Sequence, residues 1–283
     1  MTNIDQFESI FKKADKQKFQ LETVDLDNML VISDGNAEQT KGFLAQVVDF
    51  LDTTLLEKEI NWHTISGDEH QSVRDVVEKV KELQPDLICT FRNLKAPAVD
   101  YPYSLGVYLE VLSQATDIPV LVLPSPYREA AIPDSTKHVM AIADHLTGDN
   151  HLVSYAARLT TPGGKLVLSH VEDQTVFNRY IDVISKIPTI DTDDARESIM
   201  QQLLAEPHDY IQSASSGLAD AGMPIKVDEI VTVGHSLRDY KRLIEQHDID
   251  LLVLNTKKED QLAMHGLAYP LCVELRDTPI LML

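Results

Sequence analysis

"DIPVLVLP" (residues 117–124) and "DTPILML" (277–283) are one phrase written twice: Asp, one residue, Pro, then an apolar run. Pro119 and Pro279 lie 160 residues apart. Working backward from each copy extends the match. "YSLGVYLEVLSQAT" precedes the first and "MHGLAYPLCVELR" the second, with Gly106 and Gly266 again 160 residues apart. Both segments carry apolar residues at helical spacing: Leu105, Tyr108, Leu109 and Leu112 in one, Leu267, Leu271, Val273 and Leu275 in the other. Further back, "QPDLICTF" (84–91) answers "DIDLLVLN" (248–255). Each follows an amphipathic helix, "VRDVVEKVKEL" (73–83) or "LRDYKRLIEQH" (237–247). At the start of each copy, "NMLVISDGN" (28–36) answers "HVMAIADHL" (138–146), and Asp34 and Asp144 close the two apolar runs.

Short apolar runs thus alternate with amphipathic helices, which is the βαβ pattern of a parallel sheet covered by helices. The runs are nearly continuous in hydrophobicity, as strands buried on both faces are. The expected fold is α/β, two Rossmann-like open parallel-sheet domains in tandem. Residues 1–124 form the first domain with an N-terminal helix, and 137–283 the second. The proline-rich stretch "PSPYREAAIPDSTK" (124–137) links them. The copies are unequal. Only about thirty residues separate Asp34 from the matching "ISGDEH" (65–70), so the first domain has room for four strands, in the order 59–65, 29–34, 86–91, 118–123. Residues 19–25 are the alternative source of a fifth. The second domain has five strands, with a helix from Asp144 to about Leu159. A polar loop follows the strand 165–171, then a helical region over 192–221 broken near Pro207. Residues 1–18 read as a separate amphipathic helix with the stripe Ile4, Phe7, Ile10 and Phe11, expected to pack on the first domain.

The composition bounds the function. Net charge is −20, from 25 Lys+Arg against 45 Asp+Glu, and it is shared equally between the two copies. Such a surface repels phosphate backbones and anionic lipid, so neither nucleic acid nor a membrane is an expected partner. No apolar run approaches the ~20 residues that span a bilayer. The N-terminus lacks the apolar core of a signal peptide, and two cysteines are too few for a disulfide framework. These features point to the cytoplasm.

On "VISDG", "AIADH", "LSHVED" and "SLGVYLEVLSQATDIPVLVLP", the chain resembles the universal stress protein family in its tandem two-domain form, over about residues 28–283. The resemblance implies a stress-response or regulatory role. ATP-binding members carry G-x2-G-x9-G-[S/T] after the fourth strand. Its glycines let backbone N–H groups approach phosphate at a helix N-terminus. This chain departs from that motif. Counting back from Gly106 puts Ala96 and Asn93 where the other glycines belong, and "NTKKEDQLAMHG" in the second copy also lacks them. Val107 and Leu267 replace the hydroxyl residue. Arg92, Lys257 and Lys258 are cations in these loops, and solvated surface is the simpler reading of such residues. In the second copy, the resemblance implies that an adenine nucleotide would meet Asp144, His170, Val171, Asn255, Thr256 and Gly266. Asp144 could equally cap the helix after it.

Three readings follow: a non-catalytic regulatory protein with a degenerate ATP motif and no expected cofactor, a sensor that keeps adenosine affinity in the second domain, or a scaffold for another protein. The ten histidines show no H-E-x-x-H and the cysteines no C-x-x-C, so a metal is not expected. Cys89 and Cys272 stand in apolar runs, and "SASSG" (213–217) lacks the G-x-S-x-G elbow, so no catalytic residue is indicated. The last strand of each copy would be an edge strand without charged gatekeepers. The resemblance implies a remedy. Strands 118–123 and 279–283 would pair antiparallel about a pseudo-two-fold axis, the chain serving as its own partner.

Overall fold

A computed structural model describes residues 17–55, 59–96, 103–126, 131–143, 146–256 and 266–283. The first half holds β1 (Asn28–Ile32), α1 (Ala37–Leu55), β2 (Asn61–Ile65), α2 (Val73–Leu83), β3 (Leu87–Phe91), α3 (Val107–Ala115) and β4 (Val120–Leu123). The second holds β5 (His138–Ile142), α4 (Asn150–Arg158), β6 (Lys165–Asp173), α5 (Gln174–Ile184), α6 (Thr192–Asp220), β7 (Lys226–Gly234), α7 (Ser236–Gln246), β8 (Leu251–Leu254), α8 (Ala268–Glu274) and β9 (Ile280–Met282).

The nine strands of the described residues join in one sheet, ordered β2-β1-β3-β4-β9-β8-β5-β6-β7. The first half contributes four strands in the expected order. Every neighbouring pair is parallel except β4 with β9, which run antiparallel with Leu121 opposite Leu281. The two copies of the repeated phrase therefore lie side by side at the centre of the sheet, where β4 and β9 are wholly buried. Their prolines precede the paired residues and lack only a donor. The carbonyls of Pro119 and Pro279 accept from Ile88 and Leu252, each at 3.0 Å.

The duplication reaches into the hydrogen bonding. Asp86 Oδ2, before β3, accepts from the backbone N–H of Asn28 at 2.8 Å. Asp250 Oδ2, before β8, accepts from that of His138, also at 2.8 Å. Each carboxylate ties the start of one strand to its neighbour. Gln84 and Asp248, at the ends of α2 and α7, both turn left-handed with φ 45° and 48°. The outer strands β2 and β7 show polar residues such as Asn61, His63, Lys226 and Glu229, which protect open edges.

Residues 19–25, the alternative source of a fifth strand, form none, which leaves the first half with its four. They are an extended strap laid on the second half: Phe19 N–H donates to Ser213 Oγ at 3.0 Å and Glu22 N–H to Ser154 Oγ at 3.0 Å. The sequence reading needs correction in three places. Residues 17 and 18 belong to this strap rather than to a helix, and the rest of the expected N-terminal helix lies outside the described residues. The polar loop after β6 contains a helix, α5, capped by Asp173, whose Oδ1 accepts from Thr175 N–H at 2.9 Å and Val176 N–H at 3.0 Å. Finally, α6 runs unbroken through Pro207. A proline inside a helix costs about 3 kcal/mol. Burial of Pro207, Tyr210, Ile211, Ala214 and Leu218 outweighs it.

Candidate functional site

Open α/β sheets bind ligands at the carboxyl ends of their strands, where the strand order reverses. Here that is between β1 and β3 in the first half and between β5 and β8 in the second.

In the first half, three loops meet at this crevice and close on each other. Gly67 N–H donates to Gly35 O at 2.7 Å, and a Cβ on Gly67 would stand 2.1 Å from Asp34 O. Lys95 threads the gap. Its backbone N–H donates to Asp34 Oδ2 at 2.9 Å, and its Nζ donates to Gly67 O at 2.7 Å and to His70 O. Asn93 and Lys95 both adopt left-handed backbone, φ 58° and 56°, which bends the loop back over the strand ends. Gly106, at φ 85°, is pressed so close that a Cβ would lie 2.8 Å from Asn93 Cα. His70 is buried against the Tyr108 ring at 5.3 Å, with Nε2 3.3 Å from Ser33 O. Burial holds its pKa below the ordinary value, so the ring is neutral. His70 Nδ1 and Asn93 Oδ1 are buried without a hydrogen-bond partner.

Arg92 attracts no phosphate in this arrangement. It is buried, and its guanidinium crosses the pseudo-two-fold to the end of α8. There Nη1 donates to Cys272 O and Nη2 to Leu275 O at 2.5 Å. The negative end of that helix and its orphan carbonyls account for the cation.

In the second half, Asp144 and residues 257–265, including Lys257 and Lys258, lie outside the described residues. His170 and Val171 stand at the carboxyl end of β6, on opposite faces because neighbours alternate along a strand. Val171 N–H donates to Tyr240 Oη at 2.9 Å. His170 is 3% exposed, with Nε2 3.3 Å from Glu172 Oε2 and no partner for Nδ1. Asn255 Nδ2 donates to Asp149 Oδ2. Asp149, not Asp144, is the N-cap of α4, accepting from Leu152 N–H at 3.0 Å. The sequence signal for this cap was an Asp just before the first periodic residues of the helix. Burial raises the Asp149 carboxyl above its ordinary pKa, against the hydrogen bonds from Leu152 and Asn255. Thr256 spends both N–H and Oγ1 on Leu283 O, at 2.8 and 2.9 Å. Gly266 is an exposed turn residue with φ 58°. Asn255 and Thr256 are thus committed to the α4 cap and the last strand, apart from His170.

A hollow of about 410 Å³ opens beside α7, lined by Asp173, His235, Ser236, Arg238, Lys241 and Glu274 among others. Several of its polar groups pair within the wall. Lys241 Nζ meets Glu274 Oε2 at 2.5 Å, and Ser236 Oγ lies 3.3 Å from Asp173 Oδ2. Cys89 and Cys272 are buried, and burial pushes the Cys272 thiol up to about 12, so neither is a ready nucleophile. No group of three or more metal-ligating side chains occurs among the described residues, and no described helix is long and apolar enough to cross a membrane.

The strand order, the crossovers and the central antiparallel join define a tandem pair of open, doubly wound α/β sheets. This is the universal stress protein fold. A universal stress protein from Archaeoglobus fulgidus superposes with a TM-score of 0.52 over 91% of this chain and 98% of its own, at 12% identity. A functionally unknown protein from Pseudomonas aeruginosa superposes with a TM-score of 0.50 over 91% and 92%, also at 12% identity. A second, provisionally assigned universal stress protein from Pseudomonas aeruginosa gives 0.50 over 91% and 93%, at 11% identity. No protein-family model and no curated protein sequence matches the chain.

Proposed function

We propose that this chain is a non-catalytic, cytoplasmic stress-response or regulatory protein of the universal stress type, whose first crevice has become an internal joint. The observation that carries this reading is Lys95. Its ammonium group and backbone N–H bond to Gly67, His70 and Asp34, the loops between which a nucleotide would lie. A ligand there would have to displace a satisfied cation and would find no glycine N–H cradle in return. In the second half, Asn255 and Thr256 are engaged within the chain, which weighs against a phosphate site there as well. On this reading the protein has no cofactor, and its output passes through contact with another protein.

A second reading is adenosine binding in the second half, favoured by the buried, unpartnered Nδ1 of His170 at the end of β6. Calorimetric titration with ATP, ADP and AMP separates the two. The first reading expects no binding at micromolar concentration. Micromolar ATP binding refutes it. Binding of AMP and ATP with equal affinity, lost on His170→Ala, establishes the second.

A further inference from the structure

We infer that the extended strap at residues 17–22 is an autoinhibitory clamp that holds the second crevice shut. That crevice lies between the carboxyl ends of β5 and β8. One hydrogen bond crosses it: Asn255, the first residue after β8, donates its Nδ2 to Asp149 Oδ2 at the start of α4. The same carboxylate caps α4 through Oδ1, which accepts from Leu152 N–H at 3.0 Å. A ligand entering between the two strands has to part this bridge, so whatever fixes the start of α4 also fixes the crevice. The clamp regulates the site of the second reading above, and it rests on that reading for its ligand, a molecule bearing adenosine.

The antiparallel join brings the strap to this place. Every other strand pair is parallel, so the amino end of β1 shares a sheet edge with the carboxyl ends of β5 and β8. Traced back from β1, the chain runs along α4 toward the N-terminus of that helix. Glu22 N–H donates to Ser154 Oγ at 3.0 Å, and Gln20 N–H to Asn150 Oδ1 at 3.1 Å. Asn150 Oδ1 also accepts from Tyr210 Oη at 2.8 Å, so the strap and α6 both hold the residue next to Asp149. Two glycines are fitted to the strap. Gly148, at φ 86°, immediately precedes Asp149, and a Cβ there would stand 1.8 Å from Gln17 Oε1. Gly217 lies inside α6, where glycine weakens a helix relative to alanine. Its bare side receives Phe19, whose Cδ1 would be 2.9 Å from a Cβ. Phe19 is 7% exposed and meets Tyr210 edge-on at 6.3 Å, while Gln20, Leu21 and Glu22 are exposed. One buried ring anchoring an exposed, extended segment makes a strap that lifts at little cost to the core.

The test uses the full chain with Phe19→Ala, which removes the anchor, and separately with Gly217→Leu, which fills the anchor's seat while improving α6 as a helix. An effect common to both variants is release of the strap and not lost stability. Hydrogen exchange read by NMR at the Leu152 and Val153 amides should be about tenfold faster or more in both, with the Met140 and Val253 amides of β5 and β8 unchanged. Calorimetric titration with AMP should show an affinity raised over the parent by the same factor, because apparent affinity scales with the open fraction. Acceleration in one variant alone, or in neither, overturns the proposal. AMP bound equally tightly by the parent and both variants overturns it too. Acceleration in both variants with no AMP binding by any of the three proteins supports the clamp and refutes the adenosine reading.

Discussion

Replacing Arg92 with methionine should show how strongly the two halves depend on each other. Methionine keeps the stem and its packing but removes the guanidinium. The carbonyls of Cys272, buried, and Leu275, partly buried, remain at the end of α8 and lose their donor. A hydrogen bond to a charged group contributes about 1.5–3 kcal/mol, and its loss leaves an unsatisfied acceptor. Two such bonds give a destabilisation of about 3 kcal/mol at the low end. Unfolding entropy near the transition is about 2.1 cal/mol/K per residue, or about 0.6 kcal/mol/K for this chain, so 3 kcal/mol lowers Tm by about 5 °C. Arg92→Lys keeps the charge but not the planar fork, so its loss should be intermediate. Scanning calorimetry of the parent and both variants checks the ranking. If Arg92→Met melts within about 1 °C of the parent, the guanidinium is not holding the halves together and the reasoning fails.

Three other outcomes follow from the same geometry. Deleting residues 279–283 removes β9 from between β4 and β8 and bares two apolar edges, so light scattering should report association or insolubility; a monomeric product of unchanged Tm contradicts the central join. Acidification should weaken the fold through His70. Its folded pKa lies below the ordinary 6.5, so the native state binds fewer protons, and stability present above 6.5 is lost as pH falls through the interval beneath it. Urea midpoints measured between pH 7.5 and 5 check this, and His70→Gln should flatten that portion of the profile. Gly106→Ala should cost about 2 kcal/mol, because an L side chain disfavours φ 85° and its Cβ would press on Asn93; an unchanged urea midpoint would show that this loop can shift.

How far the sequence led depends on whether a residue's partner lies near it in the chain. Pro119 and Pro279, Asp86 and Asp250, and Gly106 and Gly266 recur in matching places, and the duplication together with the short spacing after Asp34 points to four strands in one half and five in the other. Lys95 was illegible. A loop lysine reads as solvated surface, and its carbonyl partners come from residues 67 and 70, brought near only because β1 lies between β2 and β3. Arg92 reads as a solvated loop cation for the same reason, since its acceptors stand 180 residues or more away at the end of α8. Pro207 suggested a break because local propensity opposes it, and burial of its neighbours overrides that cost. The α5 helix had local signals, with Asp173 as cap and Phe177 and Ile181 at helical spacing. Its polar and apolar residues are mixed by the second, uncovered stripe, which hides the usual single face.

Native mass spectrometry of the purified chain, sprayed from a volatile buffer without added ligand, tests most directly whether the crevices are closed. If Lys95 and the engaged Asn255 and Thr256 leave no room for a nucleotide, the spectrum shows the bare 31.7 kDa chain with no stoichiometric adduct. A stoichiometric adduct with the mass of an adenine nucleotide, retained through purification, contradicts that account.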